Sequence, residues 1–331
     1  MQVATRAIFT DHNGEPYIDT VNESYEPLPA EVLVKVQFSG INPADLVIKA
    51  GSDKSEQFQP GDCVLGFAAP AMDKPKQYGA HQDYHCARHF IYHVPPSMPM
   101  EDAACLMVVT HTAADALFNQ LQLSFENESQ PLLVWGGSSA VGSAIIQLAK
   151  KAGCHPILTS ASPRNHGRLL EIGATECFDY NDPDVVQNIR SALVKITTKP
   201  LVRVVDAVVS RGQPSSTSLC EACIDDPSTS LFTSPIPATS DAKNHWSRTF
   251  ACRNVPVDFK LPNGVVLKHD PDQLMQDKID QATAWAISNY GNGYCMPNVV
   301  VVKGGEDGMR AMRDVSAGKA SMQKFVIEHP I

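Results

Sequence analysis

The chain has 331 residues, of which 43% are hydrophobic and 19% are charged, and its formal net charge at pH 7 is −9. This length suits two domains, and the acidic balance argues against a nucleic-acid-binding protein. Nine scattered cysteines, and an N-terminus without a basic segment followed by an apolar one, predict a cytoplasmic protein without a signal peptide. The long uncharged window at 131–149 contains glycines and serines, so we expect no membrane span.

The first hundred residues are predicted to form β structure. Residues 31–39 alternate apolar and polar side chains, as expected of a half-buried strand. The other candidate strands are separated by turns rich in glycine and proline, and they cover residues 4–10, 63–67 and 79–86, with 93–96 closing the region. Short strands joined in this way favour a small barrel-like domain.

From residue 101 the pattern changes to alternating helices and strands, which implies a parallel sheet with crossover helices. Residues 225–270 are rich in serine, threonine and proline, and they predict a long loop region with short strands. The other predicted elements are a helix at 101–118, a strand–turn–helix at 132–153, a strand-like run at 155–160, a helix at 164–172, a strand at 176–180, a helix at 184–196, a strand at 201–209, a helix at 272–290, a strand at 299–302, a helix at 305–317 and a strand at 324–328.

The segment at 132–153 carries the strongest functional signal. A short apolar run breaks at small residues and then continues at helical spacing, which predicts a strand, a tight turn and a helix. The turn would leave backbone N–H groups at a helix N-terminus, where a dinucleotide pyrophosphate binds. Two positions that are often glycine in such turns are Ser139 and Ala140, so a tight turn without a ligand is the alternative. The candidate cofactor-binding residues are Gly136, Gly137, Ser138, Ser139, Ala140, Val141 and Gly142.

The choice of cofactor depends on residues about twenty positions further on. An NAD site usually has a carboxylate there to bind the ribose hydroxyls, but residues 159–164 contain none. Ser160 and Ser162 can donate hydrogen bonds to a 2′-phosphate, and Arg164 can pair with it. Capping of the helix at 164–172 is the alternative role for the serines. The combination favours NADPH.

Several motifs in sequence order resemble the medium-chain dehydrogenase/reductase superfamily. They are Phe-Ser-Gly-Ile-Asn-Pro-Ala-Asp at 38–45, Gln-Pro-Gly-Asp-Cys-Val-Leu-Gly at 59–66, the glycine-rich turn, and the closing helix and strand after residue 305. Within that superfamily the chain is most similar to the trans-acting enoyl reductases that partner fungal highly reducing polyketide synthases. That similarity rests on residues 136–140, 159–165, 173–180 and 302–305.

The resemblance implies an α/β fold with two domains. A Rossmann-like, doubly wound parallel sheet would occupy 101–299, and a GroES-like small β-barrel would combine 1–100 with 300–331. The barrel is expected to be truncated around 50–59, because the family usually has about 20 more residues there, which is enough for two strands. Such a truncation would open the barrel and remove one wall of the substrate cleft.

The resemblance also implies catalytic residues. Thr112 resembles a family threonine that lines the nicotinamide and substrate pocket, although a threonine inside a helix is the alternative. Asn42 and Asp45 match the first-domain motif and are expected to line or shape the cleft. The alternative is a buried hydrogen bond between them that holds the loop. Val47 stands where the related reductases have a lysine, and Lys49 is the candidate substitute.

Two further expectations concern the cofactor and metals. Tyr180 resembles a family contact to the adenosine side of the cofactor. Gly40 stands where zinc-dependent members have a cysteine, so we predict no metal site. A second group to consider as metal ligands consists of three histidines and a cysteine that are close in sequence: His81, His85, Cys86 and His89. The favoured explanation is that they belong to an exposed strand followed by a turn.

The resemblance predicts an NADPH-dependent, zinc-independent enoyl reductase of polyketide biosynthesis that acts in trans. Its substrate would be an α,β-unsaturated acyl thioester on the acyl carrier domain of a polyketide synthase or a synthase–peptide synthetase hybrid. We expect a monomer. Three alternatives stay open: a redox-silent relative acting as an isomerase or cyclase, a non-catalytic partner of the synthase, and a free-standing quinone or enone reductase.

Overall fold

The structure is a computed structural model that describes residues 5–11, 14–29, 31–42, 58, 61–68, 75–87, 90–260 and 266–331. Packing divides the chain into two compact units. The β-rich unit comprises Met1–Val108, Arg253–Asp272 and Asn298–Ile331, and the parallel-sheet unit comprises Val109–Cys252 and Gln273–Pro297. The domain boundaries expected from the sequence stay a prediction.

The elements are numbered in chain order. The strands are β1 (Thr5–Thr10), β2 (Pro16–Val21), β3 (Val32–Lys35), β4 (Phe38–Gly40), β5 (Val64–Leu65), β6 (Tyr84–Ala87), β7 (Tyr92–His93), β8 (Leu132–Trp135), β9 (Ile157–Ser160), β10 (Glu176–Phe178), β11 (Arg203–Asp206), β12 (Leu231–Ser234), β13 (Trp246–Arg248), β14 (Val257–Lys260), β15 (Val266–His269), β16 (Asn298–Lys303) and β17 (Gln323–Glu328). The helices are α1 (Met100–Ala114), α2 (Ala140–Ala152), α3 (His166–Ile172), α4 (Val185–Ile196), α5 (Ser216–Ala222), α6 (Gln273–Ser288) and α7 (Gly304–Ser316).

Six strands form the sheet of the parallel-sheet unit, in the order β10-β9-β8-β11-β12-β13. Every neighbouring pair is parallel. Chain order thus runs outward from β8 in one direction and then from β11 in the other, which is the strand order of a Rossmann-like doubly wound sheet. The predicted fold class is confirmed. The point where the order reverses lies between β8 and β11, and ligands of such sheets bind beside that point at the carboxyl ends of the strands.

Both faces of this sheet are buried. Leu133 and Trp135 of β8 lie in an apolar cluster with side chains of α4 and α5, including Ile189 and Cys220. The alternate residues of β8 point to the opposite face, and Leu132 on that face is also fully buried. Burial on both faces explains why the strand is a continuous apolar run without alternation. Within the described ranges, no helix is long and apolar enough to cross a membrane.

The β-rich unit consists of small sheets. β17 lies at the centre of a three-stranded sheet, parallel to β16 and antiparallel to β4. The pairs β1–β2, β3–β6, β5–β7 and β14–β15 form separate two-stranded sheets in the described part of the unit. Helix α7 packs on β17, and side chains from β17 and α7 share an apolar cluster with Ile41. Of the shortened segment at 50–59, only Phe58 belongs to the described residues.

The structure differs from the sequence expectations at residues 31–39 and 101–118. The single strand expected at 31–39 is two strands, because the chain leaves β6 after Lys35 and pairs with β17 from Phe38 onward. The short strands expected in the loop region at 225–270 are the last two strands of the parallel sheet and the β14–β15 hairpin. The helix expected at 101–118 ends at Ala114 and continues as a π-helical segment, Asp115–Gln120.

A buried polar network connects the C-terminal segment to β4. The Ser39 Oγ lies 2.8 Å from the Nε2 of His329 and 2.9 Å from the Nδ1 of His81. The Nδ1 of His329 lies 3.1 Å from an oxygen of Asp83. Ser39 lies two residues before Ile41, which directly follows β4 and lies in the apolar core. We therefore interpret this serine–histidine–aspartate arrangement as structural.

Candidate functional site

The turn between β8 and α2 requires its glycines. Gly136 has a φ of +81°, and a Cβ atom there would lie 2.5 Å from the Cγ1 of Val208. A Cβ atom on Gly137 would lie 2.2 Å from the Oγ1 of Thr159, and one on Gly142 would lie 2.4 Å from the carbonyl oxygen of Gly136. Real Cβ atoms do not approach this closely, so an added Cβ atom would displace the neighbouring side chains at Gly136 and Gly137 and the backbone of the turn at Gly142. The glycines are therefore needed for the shape of the turn.

Ser139 replaces a glycine of the usual pattern and begins helix α2. Its Oγ accepts a hydrogen bond from the N–H of Gly142 at 2.9 Å, and its own N–H donates to the carbonyl of Gly136 at 3.0 Å. It is the N-cap of a helix that starts at Ala140. The N–H groups of Ala140 and Val141 belong to the first turn and have no acceptor within the helix. These groups, with the positive end of the helix dipole, can bind an anion.

Ser160 supports the turn from the end of β9. The N–H of Gly136 donates to the Oγ of Ser160 at 3.1 Å, and the N–H of Gly137 donates to its carbonyl oxygen at 3.0 Å. The side chain is fully buried. The sequence suggested that this hydroxyl contacts a 2′-phosphate. The structure places it beneath the glycine turn, where it holds the backbone of that turn.

Ser162, Arg164 and Tyr180 lie at the carboxyl ends of β9 and β10. The Oγ of Ser162 lies 3.0 Å from the hydroxyl of Tyr180, although the two residues are eighteen positions apart. Tyr180 is 44% exposed and Arg164 is also exposed. Ser162 precedes the short turn Pro163–Asn165 without a side-chain capping bond to it. Within the described part of the chain Arg164 has no acidic partner, so the three side chains present hydroxyls and a positive charge to solvent.

Thr112 lies in the interior of α1 and is only 8% exposed. The Nδ1 of its neighbour His111 lies 2.7 Å from the carbonyl oxygen of Ala251. Burial lowers the pKa of His111 to about 4, so its ring is neutral at pH 7 and donates from Nδ1 to that carbonyl. On the previous residue of the helix, the hydroxyl of Thr110 lies 2.7 Å from that of Tyr294. The contribution of Thr112 to a substrate pocket stays a prediction.

Asn42 has a partner that the sequence did not suggest. Its Oδ1 accepts a hydrogen bond from the Nζ of Lys324 on β17 at 2.5 Å, and the same ammonium donates to the carbonyl of Ile41. Lys324 is 5% exposed, which is rare for a lysine. Lys49, Asp45 and Val47 lie outside the described residues. The sequence signal for this buried lysine is its position directly before the apolar run Phe325–Ile327.

Thr249 is a second residue that the sequence analysis missed. It follows β13 at the carboxyl edge of the parallel sheet and is 5% exposed. Its Oγ1 has no hydrogen-bond partner among the described residues. A buried hydroxyl without a partner costs free energy, and a ligand group is one way to satisfy it.

The histidines and cysteine that raised the question of a metal have other contacts. The Nδ1 of His81 lies 2.9 Å from Ser39, and the Nδ1 of His85 lies 3.0 Å from the carbonyl oxygen of Gly79. His89 lies outside the described residues. In the part of the chain that the structure describes, no three side chains of histidine, cysteine, aspartate or glutamate are grouped to hold a metal ion. The expected lack of a metal stays a prediction.

Solved structures with the same fold cover nearly the whole chain. An alcohol dehydrogenase superfamily protein from Novosphingobium aromaticivorans superposes with a TM-score of 0.71 at 15% identity, covering 99% of this chain and 100% of that chain. The crotonyl-CoA carboxylase/reductase AntE, solved in complex with NADP, has a TM-score of 0.70 at 12% identity and covers 98% of this chain and 95% of that one. The protein thus has the fold of the alcohol dehydrogenase, or medium-chain dehydrogenase/reductase, superfamily.

Sequence relatives make the resemblance more specific. No protein-family model matches the chain. The trans-enoyl reductase himH of Aspergillus japonicus is 27% identical over 329 residues, which are 90% of this chain and 89% of that protein. The trans-enoyl reductase fsa3 of a Fusarium species is 37% identical over 159 residues, so the match spans 46% of this chain and less than half of that protein, 45%. The predicted resemblance to fungal trans-enoyl reductases is confirmed, and it supports an oxidoreductase.

Proposed function

We propose that the protein is an NADPH-dependent enoyl reductase that acts in trans on an acyl chain of a polyketide pathway. The observation that carries the proposal is the arrangement at the carboxyl edge of the parallel sheet. A glycine turn with free N–H groups at the start of α2 lies next to the exposed cluster of Ser162, Arg164 and Tyr180. The names of the relatives himH and fsa3 support the reaction class.

The residues at this edge fit NADPH. The N–H groups of Ala140 and Val141 would bind the pyrophosphate. Arg164 and Ser162 would hold the 2′-phosphate, with Tyr180 at the adenosine side, and no carboxylate in 159–164 would repel that phosphate. Ser160 would act indirectly, through the backbone of the turn.

When bound, NADPH supplies a hydride for the β carbon of the enoyl thioester. The protein's part is to hold the substrate and to stabilise negative charge on the thioester oxygen while a proton reaches the α carbon. We assign the polar contacts to Asn42 and Lys49, and the wall beside the nicotinamide to Thr112. Lys324 would position Asn42, because its ammonium fixes the amide oxygen.

The substrate would arrive on the acyl carrier domain of a polyketide synthase or a synthase–peptide synthetase hybrid. We propose a cytoplasmic monomer that meets this partner transiently. The shortened segment at 50–59 and Val47 are the features that favour the alternative, a redox-silent isomerase or cyclase or a non-catalytic partner of the synthase. A quinone reductase would share the cofactor site and differ in its electron acceptor.

Turnover separates these functions. Oxidation of NADPH would be followed at 340 nm with crotonyl-pantetheine, with crotonyl groups on an isolated acyl carrier domain, and with a small quinone. We expect oxidation with both thioesters and a saturated product by mass spectrometry. Oxidation with the quinone alone would contradict the proposal in favour of a quinone reductase. NADPH binding without oxidation by any acceptor would contradict it in favour of a redox-silent protein.

A further inference from the structure

The β-rich unit contains a cavity of about 800 Å³, and every described residue that lines it belongs to that unit. The interior of a small barrel is normally filled by side chains, and protein cores have few voids larger than a water molecule. Pockets that bind small molecules have volumes of about 300–1,000 Å³. The cavity therefore has the size of a binding site.

One wall of the cavity is a single face of the β3–β6 pair. The four residues that line it there form two directly opposed pairs of the ladder, and opposed residues point to the same side of a sheet. They are Val32, Val34, His85 and Ala87. The alternate residues of β6 point to the other side and do not line the cavity. Both valines are half-buried, so this wall is largely apolar.

The other walls are apolar as well. Helix α1 contributes residues at the spacing i, i+3, i+4, i+7 and i+8, which places them on one face of the helix. This stripe consists of Met100, Ala103, Ala104, Met107 and Val108. Methionine side chains are flexible and adapt to ligands of different shape. β5 and the residues after it add Val64 and Phe67, whose ring stacks on that of Phe90 with 4.7 Å between the centroids.

The polar side chains around the cavity have partners in the protein or face solvent. The carboxylate of Glu31 accepts a hydrogen bond from the hydroxyl of Tyr78 at 3.0 Å. The Nδ1 of His85 lies 3.0 Å from a backbone carbonyl oxygen. Lys35 and Asp62 are exposed. A polar ligand group inside the cavity would lose its contacts with water and gain few in return, so the cavity favours an apolar ligand.

The cavity reaches the residue to which we assign the thioester contact. Asn42 lines it together with Gly40 at the end of β4. A Cβ atom on Gly40 would lie 2.4 Å from the carbonyl oxygen of Ala104, so the end of β4 packs directly on the α1 stripe. An acyl chain whose thioester lies at Asn42 can therefore extend along this apolar stripe.

We propose that this cavity, which we call the acyl groove, binds the apolar acyl chain of the substrate, and that the protein selects long chains over short ones. The inference rests on the proposed function and names its substrate class: enoyl thioesters that carry several apolar carbons beyond the double bond. The shortened segment expected at 50–59 gives a reason for the groove, because two strands fewer would leave more of the barrel interior unfilled.

Calorimetry with butyryl-, hexanoyl-, octanoyl- and decanoyl-pantetheine tests the proposal. These thioesters are saturated and cannot be reduced, so only binding is measured. Each methylene group that enters the acyl groove should tighten binding about three- to fourfold. Octanoyl-pantetheine should therefore bind the wild type on the order of 100-fold more tightly than butyryl-pantetheine.

Variants at Val34 test the location of the acyl chain. Val34→Phe fills part of the acyl groove, so octanoyl-pantetheine should bind about tenfold more weakly, with butyryl-pantetheine within about twofold of the wild type. Val34→Thr keeps the shape and adds a hydroxyl, which should weaken octanoyl-pantetheine by about fivefold. The matched control is Val301→Phe, since Val301 is a 38% exposed valine on β16 that does not line the groove. It should bind all four thioesters as the wild type does.

The affinity for NADPH shows that each variant is folded, because the residues proposed to bind the cofactor lie in the other unit. Equal affinities of the wild type for all four thioesters would overturn the proposal. A Val34→Phe variant that binds NADPH normally would also overturn it if octanoyl-pantetheine binds as in the wild type, or if both thioesters weaken equally. A wild type that prefers long chains but oxidises NADPH with no enoyl thioester supports the acyl groove and refutes the proposed reductase function.

Discussion

The two units build their polar sites in different ways. In the parallel-sheet unit, the turn after β8 is fixed by backbone hydrogen bonds, by glycines without room for a Cβ atom, and by the Oγ of Ser160. In the β-rich unit, the amide oxygen of Asn42 accepts a hydrogen bond from the buried ammonium of Lys324. The first arrangement is set by the strand–turn–helix itself and tolerates few substitutions. The second is set by side chains, and it can vary while the fold stays the same.

The largest expected effect comes from Gly142→Ala in the parallel-sheet unit. The new Cβ would lie 2.4 Å from the backbone oxygen of Gly136, so the turn must shift. We expect a loss of about 3 kcal/mol in the free energy of unfolding and an affinity for NADPH that is lower by roughly 100-fold. Urea unfolding and fluorescence titration measure the two effects.

The matched control is Gly167→Ala in α3, where an added Cβ meets no atom within 4 Å. Alanine is the better helix former, so this variant should gain about 0.5–1 kcal/mol and keep its affinity. Equal behaviour of the two alanine variants would show that the turn does not need Gly142.

Acid should affect the two units unequally, through one buried histidine in each. Burial lowers the pKa of His111 to about 4, and it also lowers the pKa of His329, where Asp83 partly offsets it. An unfolded chain binds these protons near pH 6.5, so stability falls as the pH drops from about 6.5 through the folded-state pKa. His111 should account for about 3 kcal/mol of that loss.

Urea unfolding at pH 7 and pH 4.5 measures this difference. The variant His111→Asn should lose less stability between the two pH values than the wild type. His329→Asn should protect less than His111→Asn does. An acid sensitivity of His111→Asn equal to that of the wild type would contradict the assignment.

A smaller effect is expected from Lys324→Met in the β-rich unit. The change leaves the oxygens of Ile41 and Asn42 without their donor, which costs about 1–3 kcal/mol. Turnover of the enoyl thioester should fall, because Asn42 loses its orientation, whereas the affinity for NADPH should not change. Lys319→Met, at an exposed lysine paired with Asp314, should alter neither. Weaker binding of NADPH by Lys324→Met would break the proposed separation of roles.

The sequence predicted those structural elements that are determined by residues adjacent in the chain. The glycine turn, its helix and the alternation of strands after residue 101 all follow from local patterns. Ser162 and Tyr180 were each predicted to contact the cofactor, but the contact between their two hydroxyls was not predicted. Short strands were expected in the polar segment at 225–270, but the positions of β12 and β13 and their place in the parallel sheet were not, since three or four residues are too few for a periodic pattern.

Contacts between distant strands could not be predicted from the sequence. Asn42 and Lys324 are separated by 282 positions, and nothing local indicates that β4 pairs with β17. The packing of Val208 on Gly136 depends on β11 being the neighbour of β8, which is a property of strand order. Ser160 illustrates the same limit: its residue type suggested a phosphate contact, but its pairing in the sheet directs the hydroxyl to the turn.

The most direct test of the account is the preference for NADPH over NADH. Fluorescence titration of the wild type, of Arg164→Ala and of the exposed control Arg310→Ala gives the ratio of the two dissociation constants. We expect the wild type and the control to prefer NADPH, and Arg164→Ala to lose about 10- to 100-fold of affinity for NADPH alone, as for a charge-assisted contact. Equal weakening of NADPH and NADH in Arg164→Ala, or no NADPH binding by the wild type, would contradict the central claim.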